Sequence, residues 1–323
     1  MPPRHQLLAM LVALLWGLNF LAIDASLSVF PPLFLVALRF ALIALPTLLF
    51  IPRPTVRWRW LIGYGVGFGT LQFLFLYWGM VIGMPVGLAS LVLQASAPFT
   101  VLLGAIFLHE RLSGRAVIGI VLAVAGLCVV GWQRWETAGL LPFLLTLAGA
   151  FGWALGNLAN RQARAENPLH FTLWMSIVPP VPMFILSLGV EGPERILESF
   201  ANLHSPSGAA AILGLAYTVL IGTIVGSGLF SWLMARHPAT VVAPFSLLVP
   251  VVGMSAAWLL LGEGVTSMEL AGAALTVMGV LLGTARAPRQ VITWTRRTRQ
   301  RVATGSVALT ETIPPEECTT PRR

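Results

Sequence analysis

The feature that most constrains the fold of this sequence is one long stretch without a charged residue, from Val86 to Leu108. It holds 23 residues and runs directly into the charged cluster His109, Glu110 and Arg111. An α-helix rises about 1.5 Å per residue, so this stretch would be about 35 Å long as a helix. Because the hydrocarbon core of a bilayer is about 30 Å thick, the stretch predicts a helix that crosses a membrane.

A second copy of this stretch lies 153 residues further along the chain, and it includes the glutamate that follows the span, Glu110 in one copy and Glu263 in the other. The other matches are Pro85 with Pro238, Leu108 with Leu261, Gly119 with Gly272, Leu122 with Leu275 and Gly126 with Gly279. A repeat of this length is half of the protein. The sequence therefore predicts two similar halves, 1–133 and 134–286, followed by a tail at 287–323.

Composition extends the membrane prediction to the whole chain. Of the 323 residues 57% are hydrophobic and 10% are charged, which leaves too little polar surface to cover a soluble globule. The net charge of +8 does not indicate nucleic acid as a partner, because most arginines lie in short loops and the tail, where membrane topology accounts for them. Lysine is absent, which excludes enzymes that depend on a phosphate-loop or Schiff-base lysine.

Hydropathy, with proline, glycine and charged residues taken as the ends of the spans, predicts an all-α polytopic protein with ten transmembrane helices. The predicted spans are 7–23, 32–51, 60–82, 86–108, 114–132, 138–159, 169–190, 208–234, 239–262 and 268–285. The loops and termini on the N-terminal side of the membrane contain seventeen arginines, eight of them from Arg286 onward, whereas the opposite loops contain only Arg134 and Arg195. By the positive-inside rule both termini are predicted to be cytoplasmic.

Five spans in each half is an odd number, so the halves must cross the membrane in opposite directions. Such an inverted repeat places a substrate site near the midplane, between the halves. Glycines in the third span indicate close helix approach rather than a nucleotide loop, since their spacing is not GxGxxG; they are Gly63, Gly65, Gly67 and Gly69. The arginine-rich tail suits attachment to anionic lipid.

Polar and aromatic residues inside the spans are the candidates for a substrate cavity, because an amide that faces lipid is costly. Trp16 with Asn19, and Trp153 with Asn157, occupy nearly equivalent places in the two halves. Gln94 with Ser96 forms the deepest strongly polar pair, and Tyr77 and Ser246 are further candidates for the cavity wall. The alternative is that these residues only hold helices together.

Arg39 is the one charge well inside a span. Its guanidinium could hold a substrate carboxylate, pair with Asp24, or extend to the membrane surface as a structural anchor. Glu110 and Glu263 end their spans at mirrored positions, which makes them candidates for a gate or for proton coupling. The sequence contains no HExxH, GxSxG, EF-hand or Cys/His cluster, so no catalytic site, metal or cofactor is predicted.

Several motifs resemble the EamA-type exporters of the drug/metabolite transporter superfamily, and are most like its O-acetylserine and cysteine exporters. They are WGLNF at 16–20, PPL and LRF within 31–40, GMPVGLASLVLQA at 83–95, HERL at 109–112 and VAPFSLLVPVVG at 242–253. The resemblance covers residues 7–285 and implies a bacterial inner-membrane secondary transporter that exports amino acids and related metabolites from a central cavity. One departure is LGEGV at 261–265, where the family usually has an arginine after the glutamate.

The prediction is therefore an exporter of small amino-acid metabolites that works by alternating access, and not an enzyme. The alternatives are an exporter of other small metabolites or drugs, or a membrane scaffold or sensor that transports nothing. Energy coupling and oligomeric state stay open at this point.

Overall fold

The computed structural model describes residues 1–110, 112–137, 140–237 and 239–284. The regular structure of these residues is entirely helical, which confirms the prediction of an all-α protein. The described residues belong to one compact unit, Met1–Ala285. Arg111 and the tail at 287–323, with its predicted lipid contact, lie outside the described residues.

Nine helices among the described residues are long and apolar enough to cross a membrane, and each coincides with a predicted span. They are α1 (Pro3–Leu27), α2 (Pro32–Phe50), α3 (Trp58–Val81), α4 (Val86–Leu108), α5 (Gly114–Gln133), α6 (Leu141–Ala163), α7 (Pro168–Val190), α8 (Pro206–Arg236) and α9 (Pro244–Leu261). At the tenth predicted span lies a shorter apolar helix, α10 (Ser267–Gly283). A short helix, Pro193–Ala201, lies between α7 and α8.

Four of these helices contain π or 3₁₀ segments, and these segments occur in matching members of the two halves. α3 contains a π-helical segment, Gly65–Leu71, and α8 contains one at Tyr217–Val225. A 3₁₀ segment interrupts α4 at Leu93–Ala95, and another, Ala243–Leu247, forms the first turn of α9. Such interruptions change the direction in which side chains leave the helix and are frequent at functional sites.

The ends of α4 and α9 have the same backbone turn. His109 and Gly262, which are equivalent in the repeat, are both left-handed, with φ of 51° and 69°. The next N–H donates back into the helix in both cases; the bonds are Glu110 N to Gly104 O, 3.4 Å, and Glu263 N to Ala257 O, 3.3 Å. The turn directs both glutamates back toward the bundle.

Glycines allow several helices to touch backbone to backbone. A Cβ on Gly67 of α3 would lie 2.4 Å from the backbone nitrogen of Gly156 on α6, and a Cβ on Gly119 of α5 would lie 2.3 Å from that of Gly283 on α10. Real Cβ atoms essentially never approach so closely. The expectation that the α3 glycines permit close approach is therefore confirmed, and it extends to the α5–α10 pair.

Glu191, at the end of α7, caps the start of α2. Its carboxylate is only 8% exposed and accepts hydrogen bonds from Leu33 N at 2.7 Å and Phe34 N at 3.0 Å. The Ser187 hydroxyl donates to the same carboxylate at 2.6 Å. Because the first N–H groups of a helix have no partner inside it, this contact fixes the end of the helix that carries Arg39.

We expect Glu191→Ala to lower the free energy of unfolding by about 1–3 kcal/mol, since it leaves two buried N–H groups without an acceptor. Thermal unfolding of the purified protein in detergent measures this loss. Glu194→Ala is the matched control, because Glu194 is exposed and lies in the neighbouring short helix. Equal unfolding temperatures for the two variants would contradict the capping role.

Candidate functional site

Arg39 lies buried inside the helix bundle. Its side chain is 5% exposed. One terminal nitrogen donates to the Tyr77 hydroxyl at 2.9 Å, and the other donates to Thr223 Oγ1 at 3.1 Å. Tyr77 belongs to α3 in the first half and Thr223 to α8 in the second half, so both halves hold the guanidinium.

No described carboxylate pairs with Arg39, and this includes Asp24, one of its predicted partners. Its Nε is buried and has no hydrogen-bond partner among the described residues. A buried cation is costly unless another group compensates its charge. Two neutral hydroxyl groups satisfy part of the guanidinium and leave its charge available to an anion.

An aromatic shell surrounds the Arg39 guanidinium. Its central carbon lies 4.1 Å from the centre of the Phe73 ring and 5.3 Å from that of Phe40. Phe73 in turn contacts Phe68 edge to face at 5.8 Å, and Phe68 contacts Trp153 at 5.9 Å. The rings stabilise the cation and connect Trp153, a predicted cavity residue, to the Arg39 cluster.

Trp16 and Asn19 pack on the π-helical segment of α8, beside Thr223. The Trp16 indole donates to the Gly222 carbonyl at 2.9 Å. Asn19 Oδ1 faces Gly222 so closely that a Cβ at position 222 would lie 2.6 Å from it. This Oδ1 is buried and accepts no hydrogen bond from a described residue. Glycine at position 222 is therefore what allows the amide to reach α8.

The other predicted cavity residues make contacts of their own. Gln94, in the 3₁₀ segment of α4, donates weakly to the Ser246 carbonyl at 3.4 Å. This contact joins the irregular segments of the two halves. Asn157 donates to Thr100 Oγ1 at 3.2 Å and so ties α6 to α4. Ser96 is buried at the first position of the α-helical part that follows the 3₁₀ segment.

The mirrored glutamates have different partners. The Glu263 carboxylate accepts from Val86 N at 2.8 Å and Gly87 N at 3.0 Å, so it caps the start of α4 in the opposite half. Glu110 forms a bidentate ion pair with Arg161 at the end of α6, and both side chains are largely exposed. These contacts explain how a glutamate is tolerated at the carboxyl end of its own helix.

Thr223 and Thr218 were not predicted as site residues. A threonine hydroxyl commonly bonds to its own helix, so hydropathy gives no signal for it. Thr223 Oγ1 does donate to the Thr218 carbonyl at 2.9 Å, yet it also accepts from Arg39. Gln72, another polar residue in a span, is buried, and its side-chain carbonyl has no partner among the described residues.

Two apolar clefts lie away from this cluster, and none of the predicted cavity residues lines either of them. One, of about 340 Å³, lies between α2 and α7, where Phe34 and Phe184 face each other. The other, of about 540 Å³, lies between α4, α5 and α6 and is lined by Pro98, Cys128 and Trp132 among others. The Arg39 cluster itself is closed to solvent in this conformation.

The nine long apolar helices of the described residues, together with the buried polar cluster at Arg39, define a multi-pass membrane protein. The chain belongs to the EamA-like transporter family, whose profile matches residues 4–132 and 140–284. It is therefore a transporter and not an enzyme. The two matched segments contain most of the two predicted halves.

Two relatives carry the name "Probable amino-acid metabolite efflux pump". The one from Escherichia coli is 40% identical over 87% of this chain and 95% of its own length. The one from Salmonella typhimurium is 41% identical over the same shares. A "Probable terminal-alkyne amino-acid exporter" from Streptantibioticus cattleyicolor is 27% identical over 64% of this chain and 66% of its own. A crystal structure with a TM-score of 0.57 and 19% identity, covering 88% of this chain and 97% of its own, has a similar fold.

Proposed function

We propose that this protein exports amino acids and related metabolites by alternating access, with Arg39 as the binding group for the substrate carboxylate. The observation that carries the proposal is the buried guanidinium held by both halves and lacking a described carboxylate partner. A substrate carboxylate would supply the missing charge, and Arg39 would hold it through charge-assisted hydrogen bonds. The names of the two efflux-pump relatives support the same class of substrate.

The proposed architecture is ten transmembrane helices in two inverted five-helix repeats. The matching π segments, 3₁₀ segments and left-handed turns support this assignment, because each pair occupies equivalent places in 1–133 and 134–286. In such repeats the halves exchange conformations around a fixed site. A cluster held by Tyr77 from one half and Thr223 from the other would break and re-form as they do so.

The proposed substrates are O-acetylserine and cysteine, as the sequence resemblance implies. The described part of the Arg39 cluster holds amides, hydroxyls and aromatic rings but no acidic residue. This suits a small zwitterion better than an organic polycation, which would need a buried carboxylate.

Overexpression in a bacterial host should raise O-acetylserine or cysteine in the medium and confer tolerance to an excess of them. Mass spectrometry of the medium measures the export. Cells with the empty vector are the control. Export of unrelated compounds alone, such as nucleosides, would contradict this substrate assignment while leaving the transporter class intact.

The proposed topology places both termini in the cytoplasm of a bacterium, and it is tested by impermeant thiol labelling in a variant without Cys128 and Cys318. Single cysteines at Ser28 and Glu194 should label in intact cells, whereas one at Ser113 should label only after the membrane is permeabilised. All three positions are exposed, so each is reachable by the reagent. The opposite labelling pattern would overturn the orientation.

A further inference from the structure

Three side chains that carry buried polar atoms without described partners lie on, or against, one segment of α8. Asn19 Oδ1, Arg39 Nε and Thr218 Oγ1 all lack a hydrogen bond among the described residues. A buried polar atom left unsatisfied costs about 1–3 kcal/mol, and native proteins contain few of them. Three such atoms around a single helical segment therefore point to a ligand that satisfies them together.

The π-helical segment Tyr217–Val225 holds Thr218 together with Gly222 and Thr223, the two residues that Asn19 and Arg39 contact. Backbone hydrogen bonds in a π turn join residues five apart, so Thr218 lies one turn before Thr223. The Thr223 hydroxyl donates to the Thr218 carbonyl at 2.9 Å, which agrees with this spacing. Arg39 contacts Thr223, and Asn19 contacts its neighbour Gly222. Arg39 and Asn19 therefore contact adjacent residues of one segment, and Thr218 lies one turn earlier in it.

We infer that this segment of α8 is a site for both charged ends of an α-amino acid. Arg39 Nε donates to the carboxylate, while Asn19 Oδ1 and Thr218 Oγ1 accept from the ammonium. The inference deepens the proposed function and rests on it, because it assigns the residues that distinguish an amino acid from a plain carboxylic acid.

The chemistry of the acceptors fits an ammonium that must be released again. An amide oxygen and a hydroxyl accept hydrogen bonds from a cation without adding a full negative charge beside Arg39. A carboxylate in their place would pair with Arg39 and displace the substrate. Gln72 Oε1 is a further acceptor without a hydrogen bond among the described residues, but Gln72 lies on α3, with its backbone against Gly149 and Gly152 of α6, and is not assigned to the site.

The test compares two ligands that differ only in the amino group, O-acetyl-L-serine and 3-acetoxypropionate. Each is added as a competitor to counterflow of labelled O-acetyl-L-serine in proteoliposomes, and the concentration that halves the signal is measured. We expect the wild type to favour the amino acid by about tenfold or more, the effect of one or two hydrogen bonds to a charged group.

Asn19→Leu and Thr218→Val should each reduce this preference several-fold while leaving the affinity for 3-acetoxypropionate unchanged, since Arg39 is intact. Asn19→Asp would set a carboxylate against Arg39, so it should weaken the binding of both ligands. Thr47→Val is the matched control, because the Thr47 hydroxyl is buried in α2 but bonded to the Ile43 carbonyl. It should leave the preference unchanged.

Thr218→Val replaces a hydroxyl by a methyl group of similar size, so it keeps the test valid where Asn19→Leu fails to fold. If the Thr218 hydroxyl is only a buried group without a hydrogen bond and binds no ligand, Thr218→Val will stabilise the protein and keep the full preference for the amino acid. That result would overturn the inference. Counterflow with an unchanged preference in both variants would refute the ammonium site but not the proposed function. Absence of any amino-acid counterflow in the wild type would refute the proposed function itself.

Discussion

Replacement of Arg39 by glutamine is expected to abolish export of O-acetylserine and cysteine while the protein still inserts and folds. Glutamine keeps a hydrogen-bonding group opposite Tyr77 and Thr223 but removes the charge that the proposed carboxylate needs. It also relieves the cost of a buried cation without a described counter-ion, so the fold should be no less stable. The loss of export should be at least about tenfold, since a hydrogen bond to a charged group contributes about 1.5–3 kcal/mol.

Release of both compounds from overexpressing cells measures this effect, with the amount of protein in the membrane determined in parallel. Arg39→Lys should recover only part of the activity, because an ammonium group cannot bind a carboxylate in the bidentate fork geometry of a guanidinium. Tyr77→Phe is the matched control: it removes one bond to Arg39 and keeps the charge, so it should reduce export much less. Normal export by Arg39→Gln would show that the arginine is only a structural anchor.

Gly119→Leu is expected to have the largest effect on stability. A Cβ at this position would lie 2.3 Å from Gly283 N and 2.6 Å from the Gly279 carbonyl oxygen. Because both atoms belong to the backbone of α10, no side-chain rotation relieves the overlap, and α5 and α10 must separate. The cost should reach or exceed the upper end of the about 1–3 kcal/mol that overpacking typically causes.

Gly114→Leu is the control for this substitution, since Gly114 begins the same helix and has open space around it. Size-exclusion chromatography and thermal unfolding in detergent should report aggregation or a large fall in the unfolding temperature for Gly119→Leu alone. Equal behaviour of the two variants would contradict the tight packing of α5 on α10.

The span positions could be predicted from sequence because a membrane helix is set by the length of an apolar run, which is a local property. Trp16 and Asn19 could be recognised as candidate site residues for a related reason, since a polar group in an apolar run needs a hydrogen-bond partner. Where these residues pack could not be predicted. Asn19 reaches α8 only because position 222 is a glycine in a π-helical segment. The sequence around Asn19 contains no pattern that predicts this contact.

The other contacts that could not be predicted from the sequence join residues that are far apart in the chain. The sequence left three roles open for Arg39. Its two hydrogen-bond partners, Tyr77 and Thr223, lie 38 and 184 positions away from it in the chain, so no local pattern indicates them. The cap that Glu191 provides to α2 was not predicted, because the two residues it binds, Leu33 and Phe34, lie about 158 positions away in the chain. Gln94 and Asn157 were predicted, with Asn19, as candidates for the substrate cavity. In the structure they bond to the Ser246 carbonyl and to Thr100 Oγ1.

The mirrored glutamates illustrate what a repeat can and cannot predict. Their positions and the turns before them match in the two halves, as the repeat requires. Their carboxylates nevertheless bind different groups, a helix N-terminus for Glu263 and Arg161 for Glu110. A gating role for both stays a prediction, and it implies that these contacts change when the halves exchange conformations.

Counterflow in proteoliposomes tests the central claim most directly, because it needs no energy source and reports binding on both sides of one protein. Vesicles containing the purified protein and loaded with unlabelled O-acetylserine or cysteine should transiently accumulate the same labelled compound from outside. Vesicles with Arg39→Gln, or without protein, should not. A panel of labelled amino acids that yields no accumulation with the wild type, or equal accumulation with Arg39→Gln, would contradict an amino-acid exporter built around Arg39.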